Sequence, residues 1–533
     1  MCNNDGAINA SNWYRDTHAH YIIYSPGLQA LLFVKQQLSQ SQTVNILQLP
    51  FKQFYQPLAC LIYDTHKETF FLIRDHFGFE PFYYTMLADG AKQLCFGSNL
   101  PDVLAWVKNP VQDKQQISDT LISICASDLK YTDQTYYKKV YRVTPGHIFQ
   151  IRLQPKPVTR RHVFWRLEPG TPTIRYASDA DYDAHFSALL QEACQVCCQQ
   201  APDDVALEFS GGLDSSTILT ALDAANMPAQ LFMHVGKVVD ERRYGDQLLQ
   251  ALRSHYPIHY INADEFDVMT VIDQCKQWFA GGAPYLFFMF AHNIHHAVQQ
   301  KRCQILLSGF GGDECVSSHA PLRTYGAEVG YKRLWQELSL RQDGDSVMRR
   351  LLQVLKLNNP QFYHAIQRIK SSRSLLARKQ LLSHHKPYHS LQEREADWLS
   401  GGFSHHVRMR IEYSAVVAKH MGFTYQYPLL YPPLVEYCFA LPPEQKRRQG
   451  QQRLLVRRYL EKNTSSGLFN THKKCGDILP GTMPKCRSLY EEGHLNHALE
   501  NLSYEDTYDY IIKHQLVTEN RLFHVDLLRY MFE

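Results

Sequence analysis

Val205-Ala206-Leu207-Glu208-Phe209 runs directly into Ser210-Gly211-Gly212-Leu213-Asp214-Ser215-Ser216. The first five residues read as a short buried strand. A glycine turn follows, and the spacing predicts a helix over 216–225. Glycines permit a tight turn and let backbone approach a ligand closely. Backbone N–H groups and a helix N-terminus then face outward together, which is an anion cradle. The hydroxyls of Ser210, Ser215 and Ser216 add donors. Asp214 would repel a bare phosphate, so its natural task is to hold Mg²⁺ against one. There is no Gly-Lys-Ser/Thr, so this is not a Walker loop.

A second glycine loop, Leu307-Ser308-Gly309-Phe310-Gly311-Gly312-Asp313-Glu314, follows a strand expected at 304–307. Further strands are expected at 230–235 and 258–261, with helices between them and one before them at about 180–199. Alternating strand and helix implies a parallel sheet covered on both faces. Ligands bind at the carboxyl edge of such sheets, where both loops fall, so Asp214 and Asp313 can share one metal ion.

The first third of the chain reads differently. Ala59–Tyr63, Thr69–Ile73, Phe82–Tyr84 and His147–Ile151 are short apolar runs separated by turn residues, a β-rich pattern. Prolines and a glycine in 154–173 suggest an interdomain linker. Beyond about 320 the chain is mostly helical and rich in Arg and Lys. A length of 533 residues exceeds one compact core. The net charge of +4 is too small to suggest a nucleic-acid coat. No run approaches the roughly 20 apolar residues of a membrane span. Met1–Ala10 lacks the basic-then-apolar pattern of a signal peptide. Thirteen cysteines, an odd number, suit a reducing cytoplasmic setting. Cys194, Cys197 and Cys198 share a helical pattern with Phe186, Leu190 and Ala193, and read as core rather than metal ligands.

The first loop resembles the pyrophosphate loop of enzymes that cleave ATP between the α and β phosphates. The two loops in this order resemble the asparagine synthetase family. Arg74-Asp75-His76-Phe77-Gly78-Phe79-Glu80-Pro81-Phe82-Tyr83-Tyr84, Phe96-Gly97-Ser98 and Pro145-Gly146 are similar to that family's amidotransferase domain. Tyr427-Pro428-Leu429-Leu430, Leu441-Pro442 and 450–458 are similar to the end of its synthetase domain. The likeness implies an α/β protein of two domains. Residues 1–165 would be a β-rich, degenerate class II glutamine amidotransferase-like (Ntn-type) domain. Residues 166–533 would be an adenine-nucleotide α-hydrolase-like, adenylating domain with a parallel sheet and a helical C-terminal region. It also implies that Leu207 and Val235 flank adenine through backbone contacts. Gly211, Gly212, Leu213, Gly309, Gly311 and Gly312 would line the phosphates. Arg453, where the family usually has lysine, would face them as a catalytic cation beside Asp214 and Asp313.

Several positions depart from asparagine synthetase. Cys2 stands where the family has its glutaminase nucleophile, but Asn3-Asn4 follows it instead of Gly-Ile. The His-Arg-Gly-Pro and Asn-Gly-Glu-Ile-Tyr-Asn segments that grip glutamine are missing. Phe310 replaces a proton-accepting glutamate, and Thr424-Tyr425-Gln426 replaces Glu-Ala-Arg. This pattern resembles the lasso-peptide cyclases. The resemblance implies adenylation of an Asp or Glu side chain in a precursor peptide, with the peptide's N-terminal amine closing a macrolactam. A leader peptidase and a leader-recognition protein are the partners implied, with ATP and Mg²⁺ as cofactors and neither nucleic acid nor membrane. Three alternatives stand beside it: asparagine formation from aspartate with glutamine or ammonia, a β-lactam-synthetase-like reaction on a small carboxylic acid, and adenylation of a tRNA base. The region around His472, Lys473, Lys474 and Gly476 is read as a lid, a substrate wall or solvated surface.

Overall fold

The structure is a computed structural model. It describes residues 13–40, 44–87, 93–117, 131–153, 158–236, 240, 242–263, 268–280, 287–340, 388–402, 404–464, 467 and 469. Cys2 and the segment 472–476 lie outside the described residues.

Among the described residues, nine strands build the N-terminal part: β1 (Tyr14–His18), β2 (Tyr21–Ser25), β3 (Ala59–Asp64), β4 (Thr69–Arg74), β5 (Tyr83–Leu87), β6 (Gln93–Gly97), β7 (Val140–Arg142), β8 (His147–Arg152) and β9 (Val158–Val163). Six of them form an antiparallel sheet in the order β1-β2-β3-β4-β8-β9, and β6-β5-β7 form a second sheet. The central strands of the larger sheet are buried on both faces. Cys60, Ile62, Phe71 and Ile73 pack with Ala30, Leu31, Val34 and Leu38 of helix Leu28–Ser39. Leu61, Phe70, Leu72 and Phe149 pack with Phe82, Tyr84 and Leu94 beside the smaller sheet. Covering both faces is why β3 and β4 are continuous apolar runs rather than alternating ones.

β9 corrects the expected linker. Residues 158–163 pair with β8 from Val158↔Arg152 to Val163↔His147. Edge strands tolerate charge and exposure, and Val-Thr-Arg-Arg-His-Val is mostly exposed.

Asp75 organises the turn after β4. Its Oδ1 accepts from the backbone N–H groups of Phe77, Gly78 and Phe79, and its Oδ2 from those of Glu80 and Leu58. Gly78 sits at φ +83°, and a Cβ there would meet Pro145 Cγ at 2.8 Å. The Arg-Asp-His-Phe-Gly stretch is therefore a backbone-capping device.

The C-terminal part holds β10 (Val205–Glu208), β11 (Gln230–Val235), β12 (Ile258–Asn262), β13 (Ile305–Leu307) and β14 (Thr424–Gln426). They form one parallel sheet, ordered β12-β11-β10-β13-β14. The chain moves outward from β10 to β12, then crosses back to place β13 on the other side of β10. The sheet thus reverses its winding between β10 and β13, the place where such folds open a ligand crevice. Helix Asp179–Cys198 starts with a capping box, Ser178 with Asp181, and buries Phe186, Leu190, Cys194, Cys197 and Cys198. No helix among the described residues is long and apolar enough to cross a membrane.

The two parts meet through buried charge. Glu412, on helix His405–Met421, accepts from Arg142 Nε at 2.7 Å, Arg74 Nη2 at 3.1 Å and the Tyr83 hydroxyl at 2.8 Å. Trp165 Nε1 donates to Glu436 at 2.8 Å.

Candidate active site

Both glycine loops leave the sheet at its point of reversal. The first follows β10 and opens helix Leu213–Ala224; the second follows β13. Each loop continues the sheet ladder for one residue before departing. Phe209 N–H donates to the Phe232 carbonyl at 2.9 Å, and Ser308 N–H to the Gln426 carbonyl at 3.1 Å. The helix begins at Leu213, three residues earlier than the spacing predicts, so Asp214, Ser215 and Ser216 occupy its first turn.

Ser210 and Ser215 hold the first loop. Ser210 N–H donates to Ser215 Oγ at 3.2 Å, Ser215 Oγ donates to the Gly212 carbonyl at 3.3 Å, and Gly212 N–H donates to Ser210 Oγ at 3.3 Å. The second loop lies directly against the first. A Cβ on Gly309 would meet Ser215 N at 3.0 Å, and one on Gly312 would meet the Asp214 carboxylate at 2.6 Å. Gly309 thus faces the backbone of the first loop and Gly312 faces the Asp214 side chain, which leaves neither position room for a side chain of its own. Leu207 lies inside the sheet, paired to β11 and β13 and fully buried. Val235 ends β11, half-buried, and its carbonyl accepts from Ala263 N–H at 2.8 Å.

After Gly311 the chain makes a single wide π-type turn, Gly312–Val316, in which Ser317 N–H donates to the Gly312 carbonyl. The turn leaves the side chain of Asp313 exposed and buries that of Glu314. Arg453, which sits at φ +57° before helix Leu454–Thr464, reaches both acids. Its Nη1 lies 3.6 Å from Asp214 Oδ2, and its Nη2 pairs with Asp313 Oδ1. The structure therefore brings Asp214, Asp313 and Arg453 together.

Two neighbours escaped the sequence reading. Ser317 Oγ donates to Asp214 Oδ1 at 2.5 Å. His319 links Arg453 to Asp313: its Nδ1 accepts from Arg453 Nε at 3.2 Å, and its Nε2 lies 3.3 Å from Asp313 Oδ1. Neither has a sequence signal beyond following the second loop, because the π-type turn decides where they point.

Burial, with Asp313 beside it, pushes the Asp214 carboxyl up to about 7, against the pull of Arg453 and Ser317. A carboxylate that is costly to ionise alone gains most from a bound cation. Among the described residues, no three His, Cys, Asp or Glu side chains are grouped as a metal cage. Mg²⁺ needs no such cage, since one or two carboxylates plus substrate phosphates suffice. Asp214 and Asp313 fit that requirement.

Comparisons with known proteins identify the domains that carry these loops. The family model described as asparagine synthase matches residues 185–500, and the model described as glutamine amidotransferase domain matches 52–165. The chain is 22% identical over 267 residues to asparagine synthetase [glutamine-hydrolyzing] 2 of Bacillus subtilis, covering 48% of this chain and 35% of that protein. It is 25% identical over 287 residues to amidase chyE of Penicillium rubens, covering 50% of this chain and 40% of that one. The chain thus spans well under half the length of these two relatives. The first family model alone covers more than half of this chain, from the helix before the first glycine loop to beyond Arg453. The protein belongs to the asparagine synthase family.

Proposed function

We propose that the protein is an AMP-forming amide synthetase that adenylates a carboxylate and passes the acyl group to an amine. The convergence of Asp214 and Asp313 on Arg453, at the mouth of two glycine loops, carries this reading. The first loop's backbone N–H groups and serine hydroxyls receive the β and γ phosphates. Arg453 offsets the charge of the departing pyrophosphate. Asp214 and Asp313 would hold Mg²⁺, which when bound supplies neutralising charge at the phosphate oxygens. Val235 and Leu207 border the adenine at the edge of β10 and β11. The reading divides the chain into a degenerate amidotransferase-like unit, 1–165, and an adenylating unit, 166–533.

The acyl donor in this reading is an Asp or Glu side chain of a precursor peptide, and the acceptor is that peptide's N-terminal amine. Phe310 supports it, because it replaces the proton-accepting glutamate of the asparagine synthetases. Thr424-Tyr425-Gln426 supports it too, since it lacks the charges that a site built for free aspartate would keep. A leader peptidase and a leader-recognition protein would accompany such an enzyme.

A second reading, asparagine formation from aspartate with glutamine or ammonia, is favoured by the amidotransferase match at 52–165. One experiment separates them. The purified chain is incubated with ATP, Mg²⁺ and either aspartate plus glutamine or synthetic Asp- and Glu-containing peptides with free N-termini. AMP release with loss of one water from a peptide supports the cyclase, and asparagine supports the second reading. ADP as the nucleotide product would sink both.

A further inference from the structure

The adenylate's second step requires a base that takes a proton from the attacking amine, and Phe310 cannot serve. The ring of His406 meets that of Phe310 edge to face, with centroids 6.5 Å apart. Phe310 directly follows Gly309, which packs on Asp214 and Ser215, so this ring stands beside the phosphate loops. Arg410, one helical turn beyond His406, lies over the other part of the same ring, 3.9 Å from its centroid. Helix His405–Met421 therefore presents both residues to the second loop.

Glu314 orients the imidazole. Its Oε1 lies 3.1 Å from His406 Nε2, while its Oε2 is buried and has no hydrogen-bond partner among the described residues. A carboxylate facing Nε2 keeps the proton on that nitrogen and leaves the lone pair on Nδ1. The imidazole is partly exposed and Glu314 is buried. The Trp398 ring also meets the His406 ring edge to face, with centroids 5.1 Å apart. A partly exposed imidazole, backed by a buried carboxylate and flanked by two aromatic rings, is the arrangement of a base and its positioning group.

We propose that His406 is the general base of amide formation and that Glu314 positions it. This rests on the adenylation reading above. The amine nitrogen bonds to the acyl carbon, the bond from that carbon to the phosphate oxygen breaks, and AMP leaves with the electron pair. The proton lost by nitrogen passes to His406 Nδ1, and Glu314 balances the imidazolium charge.

The test uses the full chain with ATP, Mg²⁺ and N-acetyl-aspartate amide as the carboxylate probe. Adenylation is read by ATP–pyrophosphate exchange. Capture of the adenylate is read separately with glycinamide and with hydroxylamine, which attacks at neutral pH without needing a base. For H406Q, glycinamide capture is expected to fall roughly 100-fold or more, with exchange and hydroxylamine capture within a few-fold of the parent. E314Q should lower kcat for glycinamide at unchanged KM for ATP, with partial rescue by E314D. Glycinamide capture by H406Q at the parental rate overturns the proposal, as does equal loss of all three readouts. Absence of exchange in the unaltered protein overturns the adenylation reading itself, and the base assigned to its second step falls with it.

Discussion

Arg142 Nε and Glu412 Oε1 stand 2.7 Å apart although 270 residues separate them along the chain. Arg74 approaches the other oxygen, and all three side chains are buried. Removing one partner of a buried ion pair leaves uncompensated charge, which costs about 3–5 kcal/mol. Glu412→Ala is expected to destabilise the protein by that amount in urea unfolding. A loss under about 1 kcal/mol would show that this cluster does not hold the two parts together.

His76 supplies a pH dependence. Burial lowers it from 6.5 to about 4, against a hydrogen bond from Nε2 to the Lys52 carbonyl. The unfolded chain therefore binds a proton that the folded one refuses. Stability should be full above pH 6.5 and decline as pH falls towards 4, by at most roughly 3 kcal/mol from this residue. Urea midpoints at pH 7.5, 5.5 and 4.5 should follow that course. His76→Gln, which keeps a donor for Lys52, should flatten it.

Gly312→Ala tests the contact between the loops. Gly312 does not adopt positive φ, so alanine suits its backbone. The new Cβ would displace the Asp214 carboxylate, 2.6 Å away, and a side-chain end moves at little cost. The variant should keep its thermal midpoint while ATP–pyrophosphate exchange drops about 100-fold, since small misplacements of reacting groups are costly. A lowered midpoint with normal exchange would contradict the proposed role of Asp214.

Arg453 bridges two acids, and its planar fork matters as well as its charge. Arg453→Ala is expected to lower kcat for AMP formation by roughly 100-fold or more. Arg453→Lys should recover much of that loss, because an ammonium on a flexible stem still reaches the phosphates. A pre-steady-state burst of AMP would show whether pyrophosphate release is the step affected.

The sheet and its loops were readable because each signal is local. Val205–Phe209 is apolar along its whole length, and Gly-Gly followed by Leu-Asp-Ser-Ser marks a turn into a helix. β14 was not readable: Thr424-Tyr425-Gln426 is three residues long, half polar, and a strand only because β13 offers it an edge. β9 was hidden for the opposite reason, since an exposed edge looks like a linker when prolines flank it. Arg453 emerged through likeness rather than physics. Ser317, His319, Glu314 and His406 depend on the π-type turn and on a helix some ninety residues further along, and no spacing rule connects them.

β14 also decides when the two-loop site can be completed. Ser308, the first residue of the second glycine loop, gives its N–H to Gln426, which the ribosome adds long after the loop itself. Arg453 arrives later still. A nascent chain can thus complete the first glycine loop and its helix early. It cannot assemble the opposing wall until almost the whole described sequence has emerged.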